Sequence, residues 1–456
     1  MENNNGLPEN NFDGYIEILD IDHPEPILDI QQHIINHPTS FVGLILNHHF
    51  PKLENLNDYL INGAFPENLL DLNCNNNALR SLPLLPPDIE FLSCNNNLIS
   101  SLNNLPNSIQ YLFCNFNKLT SLPDPLPSNL ITLACKRNKL ISLPQLDNLV
   151  NLMNLECSNN KLTSLPDLPD SIEKLNCSKN RIINLPEILP SSLNDLNCSK
   201  NSIYVLPVLP SNLINLNCSY NKINDITLLP PNLETLNISH NPIIGSIANI
   251  ILPSSLNSFY CHYCQIIDLP SNLPNNLENL KCNNNNITEI FNLPDNLKRF
   301  NCSDNNLTVM PDLPNSLNEL HCRGNNFDDI SINKIIAFYN RAIANNFPQT
   351  VPTFQEELDF FQRDRSQTFY NAFGNFPKGE KGQTVTVAPG FAVKPKTIPG
   401  VAMENIFEKA NLPFPAGNLG GTKKRKTLKK RKTLKKRKTL KKRKTLKKTL
   451  KNHLHR

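Results

Sequence analysis

The sequence predicts an α/β solenoid: a horseshoe of short parallel strands on a concave face, with helical caps and a disordered basic tail. Three observations predict it. Thirteen cysteines fall at 74, 94, 114, 135, 157, 177, 198, 218, 261, 264, 282, 302 and 322, mostly 20 to 22 residues apart. Leu, Ile or Phe stands five and two residues before each repeating cysteine and five after it, with Asn three after it except at Cys261. The short run LPxLP recurs between these blocks, in a chain with 37 prolines and only 14 glycines among 456 residues.

Counting the cysteine slot as zero gives thirteen repeats, with Ile238 in the slot between Cys218 and Cys261. A unit of about 20 residues cannot bury its own apolar face, so neighbours must stack. Alternation of the apolar −2 and zero positions with polar ones predicts a short parallel strand with one face in the core. Proline has no N–H for a strand ladder, which places LPxLP on the convex return, in an extended polyproline-like path. Asn at +3 points inward, where its amide needs backbone partners.

One repeat reads IEKLNCSKNRIINLPEILPSS, from Ile172 to Ser192. It resembles the leucine-rich repeat pattern L-x-x-L-x-L-x-x-N-x-L with cysteine in the third apolar slot. LPxLP resembles the short bacterial-type subclass found in secreted effectors that target host cells. The resemblance covers residues 66–330 and implies a binding scaffold. The Asn-rich composition and the Lys/Arg/Thr tail also resemble leucine-rich repeat proteins of large DNA viruses with A+T-rich genomes.

YCHYC, residues 260–264, holds Cys261 and Cys264 in C-x-x-C spacing. Cys261 sits at slot zero and Cys264 at +3, the asparagine slot, so two columns meet there. Three extended residues span roughly 10 Å, too far for a disulfide, and zinc needs four ligands. Buried thiols are the expectation. A column of parallel-pointing thiols about 5 Å apart behaves as a column of small hydrophobes and suits a reducing compartment, cytoplasm or nucleus. The N-terminal stretch MENNNGLPENN lacks the basic start and apolar core of a signal peptide. FVGLIL at 41–46 is far too short to span a bilayer.

Residues 1–65 lack the repeat and are expected to form a helical N-terminal cap, with helices across ILDIQQHIINHPTSFVGLIL. His33 and His37 lie four apart there, but Ile-Ile-Asn between them lacks the glutamate of the H-E-x-x-H pattern. After the solenoid, Ile332, Ile335, Ile336, Tyr339 and Ile343 recur at helical spacing. Residues 331–373 are therefore expected to form a helical C-terminal cap, with a second helix inside 354–373. Residues 374–421 read as a Gly/Pro-rich linker with a hairpin around TVTVAPGFAV.

Residues 422–456 form a polybasic tail, KKRKTL four times and then KKTLKNHLHR. It holds 20 Lys and Arg and no acid, so the rest of the chain carries 45 − 20 = 25 basic against 40 acidic residues. Leucines six apart turn 240° on a helix and form no stripe, so a disordered polycation is expected. Such a tail binds nucleic acid or another polyanion by charge; an import signal or docking on the acidic body are the alternatives. Lys423, Lys424, Arg425, Lys426, Lys429, Lys430, Arg431 and Lys432 begin it.

The concave positions −3, −1, +1 and +2 are expected to face solvent, and most hold Asn, Ser, Lys or Asp. Two places differ. Phe91, Tyr111, Phe113 and Phe116 lie beside Lys136 and Arg137; farther on come Tyr220, His240, Tyr260, His262 and Tyr263. Aromatics beside arginine are hot-spot chemistry at protein interfaces, although rings at the first place can also tuck under the N-terminal cap. No P-loop, kinase set, G-x-S-x-G or metal-ligand cluster is present, and no cofactor is expected. Bacterial LPxLP proteins can carry a ubiquitin ligase domain with a cysteine nucleophile, but no cysteine follows Cys322. The expected function is a non-enzymatic scaffold for a protein partner, or a packaging protein tethered to nucleic acid by its tail.

Overall fold

The structure is a computed structural model and describes residues 17–20, 41–47, 53–57, 60, 63–226, 228–347, 353–362, 386–387 and 391–392. Fifteen strands follow one another in chain order across a single sheet, and every neighbouring pair is parallel. They begin with β1 (Glu17–Asp20) and β2 (Phe41–Ile45). Thirteen three-residue strands follow, from β3 (Asp71–Asn73) to β15 (Glu319–His321). Each occupies positions −3 to −1 of one repeat, and register is kept residue for residue: Leu72 pairs with Leu92 and Leu92 with Leu112.

The core is made of the columns that define the repeat. In the third repeat Ile109, Leu112, Cys114 and Leu119 are all fully buried. The same slots are buried in the other repeats, apart from Phe327, half-buried at +5 of the last. Each such Leu or Ile contributes roughly 1.5–3 kcal/mol on leaving water, but only because the next repeat covers it. The ladder continues past the strands: Cys94 N–H donates to Phe113 O at 2.8 Å and Asn96 N–H to Asn115 O at 2.9 Å. The return path closes by a turn in which the residue at −5 donates to the carbonyl of the residue at −8. That acceptor is a proline in twelve of the thirteen repeats, as with Leu213 to Pro210 O at 3.1 Å.

The asparagine column holds the turns together. Asn117 Nδ2 donates to Cys94 O at 2.9 Å and Cys114 O at 3.2 Å, while its Oδ1 accepts from Ile99 N–H at 3.0 Å. Two repeats are thus tied by one amide whose donors and acceptor are all used. Ile238 fills the cysteine slot as expected: it is buried, and its carbonyl accepts from Asn241 Nδ2. Cys264 fills the asparagine slot. Its Sγ lies 3.3 Å from Ile238 O, the partner an amide would reach one repeat back. A thiol has no carbonyl to offer, and Ile243 N–H donates instead to Asn241 O. All thirteen cysteines are free, buried thiols.

Two expectations need correction. Residues 41–45 form a strand, not part of a helix. Leu44 pairs with Leu72, Leu46 N–H donates to Asn73 O, and Leu46 O accepts from Asn77 Nδ2. Leu46 therefore stands in the cysteine slot of a divergent repeat, and pairing with the exposed edge of β3 decides the conformation. β1 extends the sheet one strand further. The helices expected at 27–40, with His33 and His37, lie outside the described residues. The second correction concerns position +1. Ser158, Ser178, Ser199, Ser219 and Ser239 are buried there. In three of these repeats the hydroxyl donates to the asparagine at −1, as in Ser239 to Asn237 Oδ1 at 2.6 Å.

Helix α1 (Asp329–Ala344) follows the last repeat. Its N-cap, Asp328, accepts from Ser331 N–H at 2.7 Å. Ile332, Ile335, Phe338, Tyr339 and Ala342 are buried, and Tyr339 Oη donates to Leu320 O at 2.8 Å. The helix so seals the last repeat. Phe338 belongs to its buried stripe, whereas Ile336 and Ile343 are only half-buried. A second helix covers residues 354–362, inside the expected span. The chain divides into two units, Met1–Gln355 and Glu356–Arg456. In the second, β16 (Thr386–Val387) and β17 (Phe391–Ala392) form the expected antiparallel hairpin. The rest of the 374–421 linker and the whole tail, including Lys423 to Lys432, lie outside the described residues.

Candidate concave-face interaction site

Position +2 has one backbone conformation throughout. In all thirteen repeats its φ is positive, from Asn76 to Gly324. This left-handed residue turns the chain out of the strand. Glycine and asparagine adopt it readily, whereas for a bulky residue it costs roughly 1–2 kcal/mol. Gly324 is needed for a second reason, since a Cβ there would run into the Asp304 side chain. Yet Phe116, Arg137, Lys179, Lys200, Tyr220, His240 and Tyr263 all hold φ between 54 and 57°. Bulky aromatic and basic groups thus stand in a column where asparagine is the easier choice, as at Asn159 and Asn284.

The first predicted patch assembles as two groups. Strand β4 (Phe91–Ser93) beside β5 (Tyr111–Phe113) pairs Phe91 with Tyr111. The Phe91 ring lies 6.3 Å from Tyr111 and 5.4 Å from Phe113. Phe116 belongs to the +2 column, and the Arg137 guanidinium sits 4.9 Å over its ring. Lys136 is half-buried, its N–H donating to Asn115 Oδ1 at 2.7 Å.

The second patch is a continuous stack. The Tyr220 and His240 rings are 3.8 Å apart and those of His240 and Tyr263 4.4 Å, each pair tilted by 13°. Lys200 Nζ covers the outer face of the series, 4.8 Å from the Tyr220 ring. His262 meets His240 edge-on at 5.3 Å. Tyr260 stands apart from the stack and faces Lys281, its cross-strand partner, at 5.6 Å. Tyr220 and Tyr263 keep 45% and 49% of their surface exposed, so the stack is an outward-facing feature.

Burial and neighbouring positive charge govern both histidines. Desolvation, then Lys200, lowers the His240 pKa. Desolvation, then His240 and Lys281, lowers that of His262 to about 4. His262 Nδ1 is buried without a hydrogen-bond partner among the described residues. Both rings are neutral at pH 7, so the stack is an uncharged aromatic surface bordered by lysines. Among the described residues no group of three or more His, Cys, Asp or Glu side chains is arranged to hold a metal. No described helix is long and apolar enough to cross a membrane.

Sequence reasoning missed Lys200 and Lys281 as members of the patch, and it missed the conformation of +2. The asparagines at +2 in the first two repeats were the available signal, because asparagine favours left-handed turns.

With this geometry in view, likeness to solved structures becomes specific. YopM, a leucine-rich effector protein from Yersinia pestis, aligns at 30% identity over 67% of this chain and 90% of its own, with a TM-score of 0.57. The chain belongs to the leucine-rich repeat proteins. A leucine-rich repeat protein of Leptospira interrogans shares the fold, at 24% identity over 66% of this chain and 82% of that one, with a TM-score of 0.55. No protein-family model and no curated protein matches the chain. Leucine-rich repeat folds are typical protein-interaction scaffolds, because stacked repeats build one extended concave surface.

Proposed function

We propose that this leucine-rich repeat protein is a non-enzymatic scaffold that binds a protein partner through the two aromatic patches of its concave side. The observation that carries the reading is the Lys200–Tyr220–His240–Tyr263 series: four bulky side chains held at positive φ, mutually packed and open to solvent. Rigid aromatic area beside a cation is the composition of an interface hot spot. Phe91, Tyr111, Phe113, Phe116, Lys136 and Arg137 supply the second anchor; Tyr260, His262 and Lys281 border the first.

The reading extends to the finer features of the sequence. LPxLP and the likeness to YopM support the short bacterial-type subclass and an effector-like role. Asparagine richness and the tail style support kinship with repeat proteins of large DNA viruses. Thirteen free thiols support residence in a reducing compartment, cytoplasm or nucleus. The 20 basic residues from 422 onward are proposed to engage nucleic acid or another polyanion.

The test is capture by the full-length protein, with cross-linking and mass spectrometry to map the contact. A specific partner should cross-link beside Tyr220 or Phe116 and be lost from Phe113→Ala/Phe116→Ala or Tyr220→Ala/Tyr263→Ala, each folded by circular dichroism. A partner retained by both variants moves the site off the concave face.

A further inference from the structure

Charge on the solenoid is sorted by position in the repeat. From the third repeat to the eighth, positions +1, +2 and +4 hold eighteen residues, of which nine are Lys or Arg and none is acidic. The 421 residues before the tail carry 40 acidic against 25 basic residues, so this is a local exclusion of acids from an acidic body. Over all thirteen repeats, position −4 at the opposite end of the strands holds Glu90, Glu173, Glu234 and Glu278 against the single cation Lys298, with Glu173 the one acid within the six repeats of the basic row.

The cations form a row because the backbone is locked in register. Lys118, Lys139, Lys161, Arg181 and Lys222 all stand at +4. In each the N–H donates to the carbonyl of the +5 residue one repeat back, at 2.8–2.9 Å. All five side chains are exposed, and none forms an ion pair with another described residue. Arg137, Lys179 and Lys200 run alongside at +2, held at positive φ. Strand spacing sets the step along the row at about 5 Å per repeat. Aromatic rings alternate with the charges: Arg137 lies over Phe116, Lys200 over Tyr220, and Lys222 over Tyr204, 5.1 Å from its centroid.

We propose that this edge of the solenoid, from Lys118 to Lys222, is a binding surface for the phosphodiester backbone of a nucleic acid. A row of like charges with no internal counter-ion is completed by a polyanion whose charges also recur at short, regular steps. The interleaved rings favour nucleic acid over an acidic peptide, because bases supply the flat partners that rings beside cations accept. The surface is distinct from the tail; it shares Phe116, Arg137, Lys200 and Tyr220 with the proposed protein site and extends beyond that site along the +4 row.

The experiment uses full-length protein with an intact tail and labelled probes of about 20 nucleotides, long enough to span several charge-contact sites: single-stranded RNA, single-stranded DNA and a DNA duplex. Anisotropy across a salt series is compared with that of Lys139→Glu/Lys161→Glu/Arg181→Glu, three exposed positions outside the aromatic patches. The triple variant should bind at least about tenfold more weakly at low salt, and its slope of log affinity on log salt should flatten by about 2 for single strands, three contacts at about 0.7 each. Ultraviolet cross-links should map to residues 113–139 or 200–222. Binding of any probe in this pattern supports the surface, and the preferred probe identifies the source of the phosphates. An unchanged slope, or cross-links confined to 422–456, overturns the surface while leaving the tail reading intact. Poly-glutamate that displaces the probe as well as unlabelled oligonucleotide of equal charge overturns it in favour of an acidic protein. If the triple variant fails to melt like the parent, Lys139→Gln/Lys161→Gln/Arg181→Gln replaces it, with the same criteria.

Discussion

Asn180 donates from Nδ2 to the carbonyl oxygen of Cys157, one repeat back, at 3.1 Å. It also reaches Cys177 O at 3.0 Å, and its Oδ1 accepts from Leu162 N–H at 3.1 Å. Asn180→Ala removes one side chain and strands three backbone groups. The expected loss is about 1–3 kcal/mol, measured by denaturant melts. Lys161→Ala, exposed and with no described side-chain partner, should change stability by less than about 0.5 kcal/mol. Ser178, two residues from Asn180, is unsuitable as a surface control because it is buried. Equal losses at Asn180 and Lys161 would contradict the ladder.

The thiol column should be unreactive until the protein opens. Burial pushes the Cys94, Cys135, Cys198 and Cys282 thiols up to about 12 and Cys264 to about 11. The thiolate is the reactive species, so alkylation at mildly alkaline pH should be slow in native protein. In denaturant without reductant, all thirteen should titrate. Any shortfall would mean a covalent or metal-held pair, with Cys261 and Cys264 the first to examine.

His262 should remain neutral far below the usual imidazole range, with a nuclear magnetic resonance midpoint near pH 4. Unfolded histidine titrates near about 6.5, so between these values the unfolded chain binds the extra proton. Stability contributed by the neutral ring is therefore full above about pH 6.5 and is lost as pH falls toward about 4. His262→Gln should flatten that part of the stability profile. A native midpoint in the ordinary imidazole range would show that the ring is not held in the stack.

Asp71 has the opposite sign. Burial raises its carboxyl to about 6, and Oδ1 has no hydrogen-bond partner among the described residues. The folded chain holds the proton between about pH 4 and 6, so this group lowers stability as pH rises through that window. Asp71→Asn should stabilise by about 1–2 kcal/mol at about pH 7 and by almost nothing at about pH 4. A variant that destabilises equally at both pH values would assign Asp71 a structural bond.

These residues mark how far the sequence could be read. Register was legible because Cys and Asn recur in fixed columns, and even the substitutions Ile238 and Cys264 fell into their slots. β2 was not legible, since Leu46 replaces the cysteine and His49 stands where the asparagine should be. The aromatic side chains of both patches were legible from their positions in the repeat, whereas Lys200 and Lys281 were not. Their geometry was not, because the stack arises from the left-handed turn at +2, and Tyr220, His240 and Tyr263 carry no sign of positive φ. Burial of serine at +1 was hidden for a similar reason: a small polar side chain reads as exposed until its bond to the asparagine at −1 is seen.

The +2 column yields the last expectation. Lys179 holds φ 55° and its side chain has no described partner, while Asn159 holds φ 56° at the same position one repeat earlier. Asparagine visits this region far more readily than lysine. Lys179→Asn should therefore stabilise the protein by about 0.5–1 kcal/mol, a gain of the kind seen when local strain at a surface turn is relieved. The same substitution removes one cation from the proposed nucleic-acid edge. Its salt slope should flatten by about 0.7 with single strands, so stability and binding should move in opposite directions. Phe116→Asn should gain less, because it also loses the Arg137 contact, worth about 0.5–1 kcal/mol at an exposed site. Chemical melts of both variants, run beside the anisotropy series, check the pair. A Lys179→Asn protein that is less stable than its parent would show that the column is not strained.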